Sequence, residues 1–367
     1  MSFLKDLELT QDKYEYTQLE KKYRNFLGPS FKIVINGANL SQQGIVISEV
    51  TVELDVGTKA DSFQFDVVNA YDPTEREFRW IDDYFSLGNY VEIYMGYVDE
   101  LVMVFYGLIT KVEYAFTEEE VPSLRISGMD LSFLMMKGSD SNVWTQKKYS
   151  EVAQSIGASY SFTNKIDDTK VKLPIIVQKN KTDYHFLSWM AEINDFVFFI
   201  KGRTLYFQSR FTNTVPVVTL TIGENLYHFS IEANLSAPTY KVAVRGWNEK
   251  SFEEIEATST NVHKLGSSKT GCDMVKLLSE KTEYELANVS SKEEAQQMAD
   301  AILNRKAMDF VLGFGETTGL PEIQAGRYIQ VDKLGKQFKS PFYLQTVTHR
   351  IDESGYTTRF TVKGNGI

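Results

Sequence analysis

The sequence predicts a mainly β fold with an α+β part: two similar β-barrel (tube-like) domains flanking a small α+β domain, with a helical insertion in the second barrel. Three observations predict it. From Phe31 onward apolar residues recur at period two in short runs split by Gly, Asn, Asp and Pro, among them "FKIVING", "ISEVTVELDV", "DSFQFDVVNA" and "YVEIYMGY". Two helical patterns, "SEVAQSIGASYSF" and "DYHFLSWMAEINDF", interrupt that rhythm in the middle of the chain. Finally, a block near residues 87–130 is echoed near 325–364.

Residues 1–27 read as a polar, partly amphipathic N-terminal helix or arm, with Leu4, Leu7, Leu19, Tyr23 and Phe26 as its apolar positions. Gly28-Pro29 ends it, because a proline disfavours helical geometry in the residue before it. Residues 28–138 hold the alternating runs of the first barrel, closing with "LVMVFYGLITKVEYAF" and "SLRISG". Residues 139–212 form the α+β domain. Phe186, Leu187, Met190, Ala191 and Ile193 share a helical face there, and "VFFIKGRTLYFQSR" reads as two strands about a Lys201-Gly202 turn. Residues 213–252 and 307–367 are assigned to the second barrel, including the strand "YKVAVRGW". The insertion is 253–306, whose helix "SKEEAQQMADAILNRKAMDF" opens on a Ser291/Glu294 capping box.

The repeat pairs "LGNYVEIYMG" at 87–96 with "AGRYIQVDKLG" at 325–335, then "GLITKVEY" at 107–114 with "FYLQTVTH" at 342–349. Ile109 aligns with Leu344, Val112 with Val347 and Tyr114 with His349. One β unit is thus used twice.

Composition narrows the function. A net charge of -10 leaves no cationic surplus for a phosphate backbone, so specific nucleic-acid binding is not expected. No apolar run approaches the roughly 18–20 residues of a membrane span, the greasiest being "FVFFI" at 196–200, so no stable membrane insertion is expected. One cysteine, Cys272, excludes an intrachain disulfide, and the four histidines lack metal-ligand spacing. No catalytic, cofactor-binding or metal-binding residue is assigned, and no cofactor is expected.

The strongest chemical candidate is the terminal "HRID". Read as a strand, it places Tyr343, Gln345, Val347, His349 and Ile351 on one face, with Leu344, Thr346, Thr348 and Arg350 on the other. His349 and Asp352 then point to opposite faces and cannot form a His–carboxylate couple. His349 is read as structural. His185 falls on a helix, His228 in a strand and His263 in the polar insertion. Glycine-rich "GFGETTGLPEIQAG" lacks a phosphate-loop lysine and precedes a strand, so it reads as a turn. The acids of "FTEEEVP" at 116–122 read as a solvated hairpin tip.

The chain resembles the phage late control protein D family, baseplate hubs of contractile tails, and more distantly the hub-like half of VgrG spikes. The carriers are "ADSFQFDVVNAYD" (60–72), "LGNYVEIYMGY" (87–97), "FYGLITKVEY" (105–114), "KTDYHFLSWMAEINDFVFFIKGRTLYF" (181–207), "YKVAVRGWNEK" (240–250), "TGLPEIQAGRYIQV" and "FYLQTVTHRIDESGYTTRFTV", in family order from residue 31. Asn194-Asp195 and Asn248 depart from the pattern at two turns. The resemblance implies a homotrimeric structural hub, not an enzyme. Three chains would give six quasi-equivalent barrels, matching a hexameric tail tube protein on one side and a trimeric spike protein on the other. Other baseplate proteins and the tape measure protein are further expected partners. Because the chain stops at Ile367, the spike is expected to be a separate polypeptide. The protein is expected to be made in the bacterial cytoplasm and assembled into a virion or tail-like particle. The rival readings are a hub of a non-contractile tail and a hub with peptidoglycan-hydrolase activity.

Overall fold

The structure, a computed structural model, describes residues 7–57, 59–116, 121–248, 252–266, 269–335 and 337–367. It is 47% strand and 19% helical, so the fold is mainly β. After helix α1 (Tyr16–Lys22), the first unit comprises β1 (Pro29–Ile35), β2 (Ala38–Asn39), β3 (Ile47–Asp55), β4 (Ser62–Val67), the short β5 (Tyr71–Asp72) and β6 (Glu77–Phe78), β7 (Tyr90–Tyr97), β8 (Glu100–Ala115) and β9 (Ser123–Asp130). The α+β part follows: α2 (Ser132–Met135), β10 (Asp140–Lys147), α3 (Tyr149–Ser159), β11 (Thr163–Ile166), β12 (Leu173–Lys181), α4 (Asp183–Ile193), β13 (Phe196–Lys201) and β14 (Thr204–Ser209). The second unit begins with β15 (Pro216–Thr221) and β16 (Leu226–Ala233). It is interrupted by β17 (Lys241–Asn248), β18 (Glu253–Ser259), α5 (Gly271–Leu278), β19 (Thr282–Leu286) and α6 (Lys292–Met308). It resumes with β20 (Val311–Thr318), β21 (Tyr328–Asp332), β22 (Phe342–Asp352) and β23 (Gly355–Gly364).

The two units share one strand order: β1-β7-β8-β9-β4-β3 in the first, β15-β21-β22-β23-β20-β16 in the second. Irregularities repeat as well. The β8/β9 ladder bulges between Ile109 and Lys111, and the β22/β23 ladder between Leu344 and Thr346. The β3/β4 ladder bulges between Ile47 and Glu49, and β16/β20 between Leu226 and His228. Even a surface ion pair recurs, Arg125–Asp66 across β9/β4 and Arg359–Glu316 across β23/β20. A bulge fixes register, so matched bulges align the copies residue by residue. One pairing departs: β1 joins β7 antiparallel, whereas β15 joins β21 parallel.

The bulge also revises the reading of the last hairpin. Strict alternation across 343–351 would expose Leu344 opposite Val347, yet both are buried. The extra residue at the bulge resets the phase, and alternation holds from Thr346, with Val347, His349 and Ile351 inward.

The N-terminal segment is less helical than its sequence suggests. Among the described residues only Tyr16–Lys22 is α-helix, followed by a 3-10 turn over Arg24–Phe26; Leu4 lies outside the described residues. Tertiary hydrogen bonds explain the rest: the Leu9 N–H donates to Tyr206 Oη (2.9 Å) and the Tyr14 N–H to Val217 O (2.7 Å), holding residues 8–15 as an extended strap. Tyr23 then donates to Glu322 (2.6 Å), tying the strap to the second unit. Gly28 at φ +70° makes the turn into β1, a backbone state that suits glycine.

"YKVAVRGW", assigned by sequence to the second barrel, lies elsewhere. As β17 it pairs with β18 and β19 in a separate three-stranded sheet. Val242 and Val244 are buried there with Ala295, Ala299 and Leu303 of α6, whose small alanines let the helix approach closely. The segment between β16 and β20 is therefore one inserted unit. At its helix start Ser291 Oγ accepts the Glu294 N–H (3.2 Å), while the Glu294 carboxylate accepts from Ser290 instead of Ser291. The α+β part has its own core, including Phe186, Leu187, Met190 and Ala191 of α4 as the helical pattern predicts.

Candidate assembly surface

The two repeated units are fused through one ladder. Strand β3 pairs antiparallel with the far half of β22, from Asp55 opposite Thr346 to Val50 opposite Ile351. Val50, Val52 and Leu54 from one side and Val347, His349 and Ile351 from the other are at most 4% exposed. Burying an aliphatic side chain of that size contributes on the order of 1.5–3 kcal/mol, so this junction is a substantial part of the core. The equivalents of these strands in the opposite copies are β16 and the far half of β8. Among the described residues each has a ladder on one side only, apart from a single bridge of Leu226 to Ile222: β16 with β20, and β8 beyond its bulge with β9. Large apolar groups are exposed beside those edges, with Tyr114 at 43%, Phe116 at 67% and Tyr227 at 65%. Unpaired strand edges are templates for another strand.

His349, the chemical candidate of the sequence, lies inside the fusion. Its Nε2–H donates to Ile323 O (3.1 Å), and the hydroxyls of Tyr356 (3.0 Å) and Thr358 (3.1 Å) face Nδ1. Burial holds its pKa down to about 3, so it is neutral at ordinary pH. Asp352 makes no couple with it, pairing instead with Arg350 (2.9 Å) and accepting from Ser354 N–H (2.8 Å).

Sequence reasoning missed a charged cluster close by. Asp61, Asp130 and Lys201 are all buried. The Asp55 N–H donates to Asp61 (2.7 Å), while Asp130 accepts from the Asp61 N–H (3.0 Å) and the Ser132 N–H (2.7 Å). Burial pushes both carboxyls well above the usual carboxylate range and pulls Lys201 down. The three join the first unit to β13 of the α+β part. Lys201, closing the apolar run "FVFFIK", was the available signal; its partners are distant in sequence.

Between the α+β part and α6 lies an open groove of about 710 Å³, lined by acids including Asp167, Asp195 and Asp300. Each of the three has a partner within the protein. Asp167 accepts from the Ser209 N–H and Thr212 Oγ1, Asp195 pairs with buried Arg210 (2.9 Å), and Asp300 accepts from Gln296. His263 lines this groove, His228 stands exposed on β16, and His185 sits in the first turn of α4, so the histidines do not converge. No metal-binding group of three or more His, Cys, Asp or Glu occurs among the described residues. Cys272 is buried and pushed up to about 11, which keeps it a thiol. The acids at 118–120 lie outside the described residues.

Residues 28–353 match the family model described as Alg8 N-terminal domain. Among curated proteins, none matches in sequence. The fold is similar to a 43 kDa tail protein of prophage MuSo2 from Shewanella oneidensis, with a TM-score of 0.70 at 10% identity, over 91% of this chain and 98% of that one. A tail protein from Neisseria meningitidis MC58 is similar at TM-score 0.66 and 14% identity, over 93% and 98%. An E. coli component of the type VI secretion system, itself described as structurally similar to T4 bacteriophage tail proteins gp27 and gp5, scores 0.55 at 12% identity over 92% and 78%. At these identities the likeness is one of fold. No described helix is long and apolar enough to cross a membrane.

Proposed function

This chain belongs to the Alg8 N-terminal domain family, and from that premise we propose that it is a structural component of a phage tail or tail-like injection particle. Its role there is a baseplate hub: a homotrimeric adaptor between a hexameric tail tube and a trimeric spike, assembled into the particle. The narrower likeness to late control protein D rests on the succession of sequence motifs, while the matching family model is the Alg8 N-terminal domain.

One observation carries the reading. A single chain holds two units of identical strand order with matching bulges, so three chains offer six like units to a sixfold partner while keeping threefold symmetry for another. The fold similarity to tail proteins of Shewanella and Neisseria supports the setting. Native mass spectrometry with averaged electron micrographs of the purified protein tests it. Three chains around a threefold axis are expected, and a species that stays single-chain at micromolar concentration refutes the hub. The role is structural and not enzymatic; in support, the strongly perturbed Asp61 and Asp130 are buried. Peptidoglycan cleavage by the purified protein in a zymogram would overturn that part.

A further inference from the structure

The N-terminal arm, residues 7–23, is fastened to parts of the chain remote from it in sequence. Glu8 pairs with Lys165 (2.6 Å), the Thr10 N–H donates to Gln324 Oε1 (3.4 Å) and Lys22 pairs with Glu322 (2.9 Å), alongside the bonds to Tyr206, Val217 and Glu322. Leu7, Leu9, Leu19 and Tyr23 are buried in that seat. Its floor is less well satisfied than its rim. Arg327 is fully buried, yet among the described residues its Nε and Nη1 have no hydrogen-bond partner, and its Nη2 donates to two carbonyls, Asp12 O (3.4 Å) and Val215 O (3.2 Å). Glu322 Oε2 is likewise buried without a hydrogen-bond partner. Each such group lowers the net gain of docking the arm.

The turn that joins the arm to β1 is strained. Arg24, Asn25 and Phe26 are all left-handed, at φ +50°, +56° and +59°, and Gly28 follows at +70°. For residues other than glycine that state is unfavourable and normally occurs singly; of the three, asparagine tolerates it best. The strain is released if the segment extends. Extended, residues 24–28 span about 17 Å, enough to hand the arm to an adjacent molecule. A second copy of this chain is the occupant the seat fits, because the contacts the arm makes at home are all present, unchanged, on another copy.

We propose that the arm is exchanged between copies: the 24–28 hinge opens, and residues 7–23 of one molecule seat on the α+β part and second unit of the next. Exchange keeps the contacts of the arm and relieves the left-handed turn. It gives up the Arg24–Asp99 pair (2.8 Å), which is exposed on both sides and contributes little. Each chain gives one arm and receives one, so exchange closes a dimer or a ring. Only the number of copies rests on the hub reading; the exchange does not.

The exposed Glu8–Lys165 pair reads the exchange directly, since a zero-length carbodiimide joins a carboxylate to the amine it touches. Two differently tagged chains are co-expressed, one carrying Lys165→Gln and the other Glu8→Gln. Neither can form the 8–165 link within itself, so a Glu8–Lys165 cross-linked peptide, found by mass spectrometry, joins two chains. Each variant alone should give none, and the wild type should give the link in any case. Asn25→Gly in both chains takes the closed turn without strain and should lower the yield of the link about threefold or more. Asn25→Pro cannot take a positive φ and should retain it. No 8–165 link between the co-expressed chains, or a yield that Asn25→Gly leaves unchanged, overturns the exchange. If the protein is nonetheless a trimer by mass, the hub reading stands; a single chain overturns both, and linked dimers overturn the hub alone.

Discussion

His349 should make this protein sensitive to mild acid by an amount that follows from its surroundings. In the unfolded chain its imidazole titrates near 6.5, whereas in the fold it is held to about 3. Burial is the first cause, and the positive charge of Lys201 adds to it, together outweighing the hydrogen bond to Ile323 O. A folded pKa below the unfolded one contributes stability that is complete above pH 6.5 and lost as pH falls toward 3. At pH 4.5 the unfolded ring is about 99% protonated and the folded ring nearly neutral, so the loss is on the order of 2–3 kcal/mol. His349→Gln keeps a donor and an acceptor but does not titrate. Urea unfolding of both proteins at pH 7.5 and 4.5, at one fixed chain concentration, isolates the term because every other group is shared. The wild type should lose on the order of 2–3 kcal/mol more than the variant across that interval. Equal losses would mean that the ring is accessible or charged in the fold, and the structural reading of "HRID" would be wrong.

Three further outcomes are expected. Lys201→Met leaves Asp61 and Asp130 without a buried cation; because a carboxyl with a raised folded pKa loses its stability contribution as pH rises, the variant should be more destabilised at pH 8 than at pH 5 in parallel melts. Tyr23→Phe removes the bond to Glu322, costing about 1–3 kcal/mol, and limited proteolysis should then cut the N-terminal strap sooner than in the wild type. Gly128→Ala would put a methyl 1.9 Å from Leu108 O beside the Phe63 ring, so soluble yield or melting temperature should fall markedly relative to the wild type.

Much of the architecture was legible because it is local. Period-two runs, turn residues and the face of α4 are written in consecutive residues, and the duplication shows because Tyr90 and Tyr328, or Val112 and Val347, keep the same place in the same pattern. What could not be read is set by partners far along the chain. Residues 8–15 leave the helical state for hydrogen bonds to Tyr206 and Val217, and β17 joins a new sheet because α6 covers it. The buried Asp61, Asp130 and Lys201 cluster has the same character, since nothing near Lys201 in sequence announces two carboxyls from the other unit. At Gln345 a bulge, which leaves the spacing of apolar residues nearly intact, was enough to misassign Leu344.

The divergence between the two copies follows from whether a strand covers the shared position: β3 covers it on β22, and no described strand covers its counterpart on β8. At the internal junction the position shared by Tyr114 and His349 is filled by a ring enclosed by Ile323, Tyr356 and Thr358, all from the same chain, and it is fully buried. In the first unit that position keeps a larger ring, packed on one side by Phe78 and open on the other. A partner supplied in cis is present throughout folding, so polar groups there can be satisfied internally and buried at once. Where no described strand covers the edge, a phenol is tolerated because its hydroxyl stays hydrated. On this argument Tyr114→His should fold as well as the wild type, because the imidazole stays in water and needs none of the partners that His349 enjoys. Thermal melts at matched concentrations measure the difference, and a clear loss of stability in the variant would show that the position is covered.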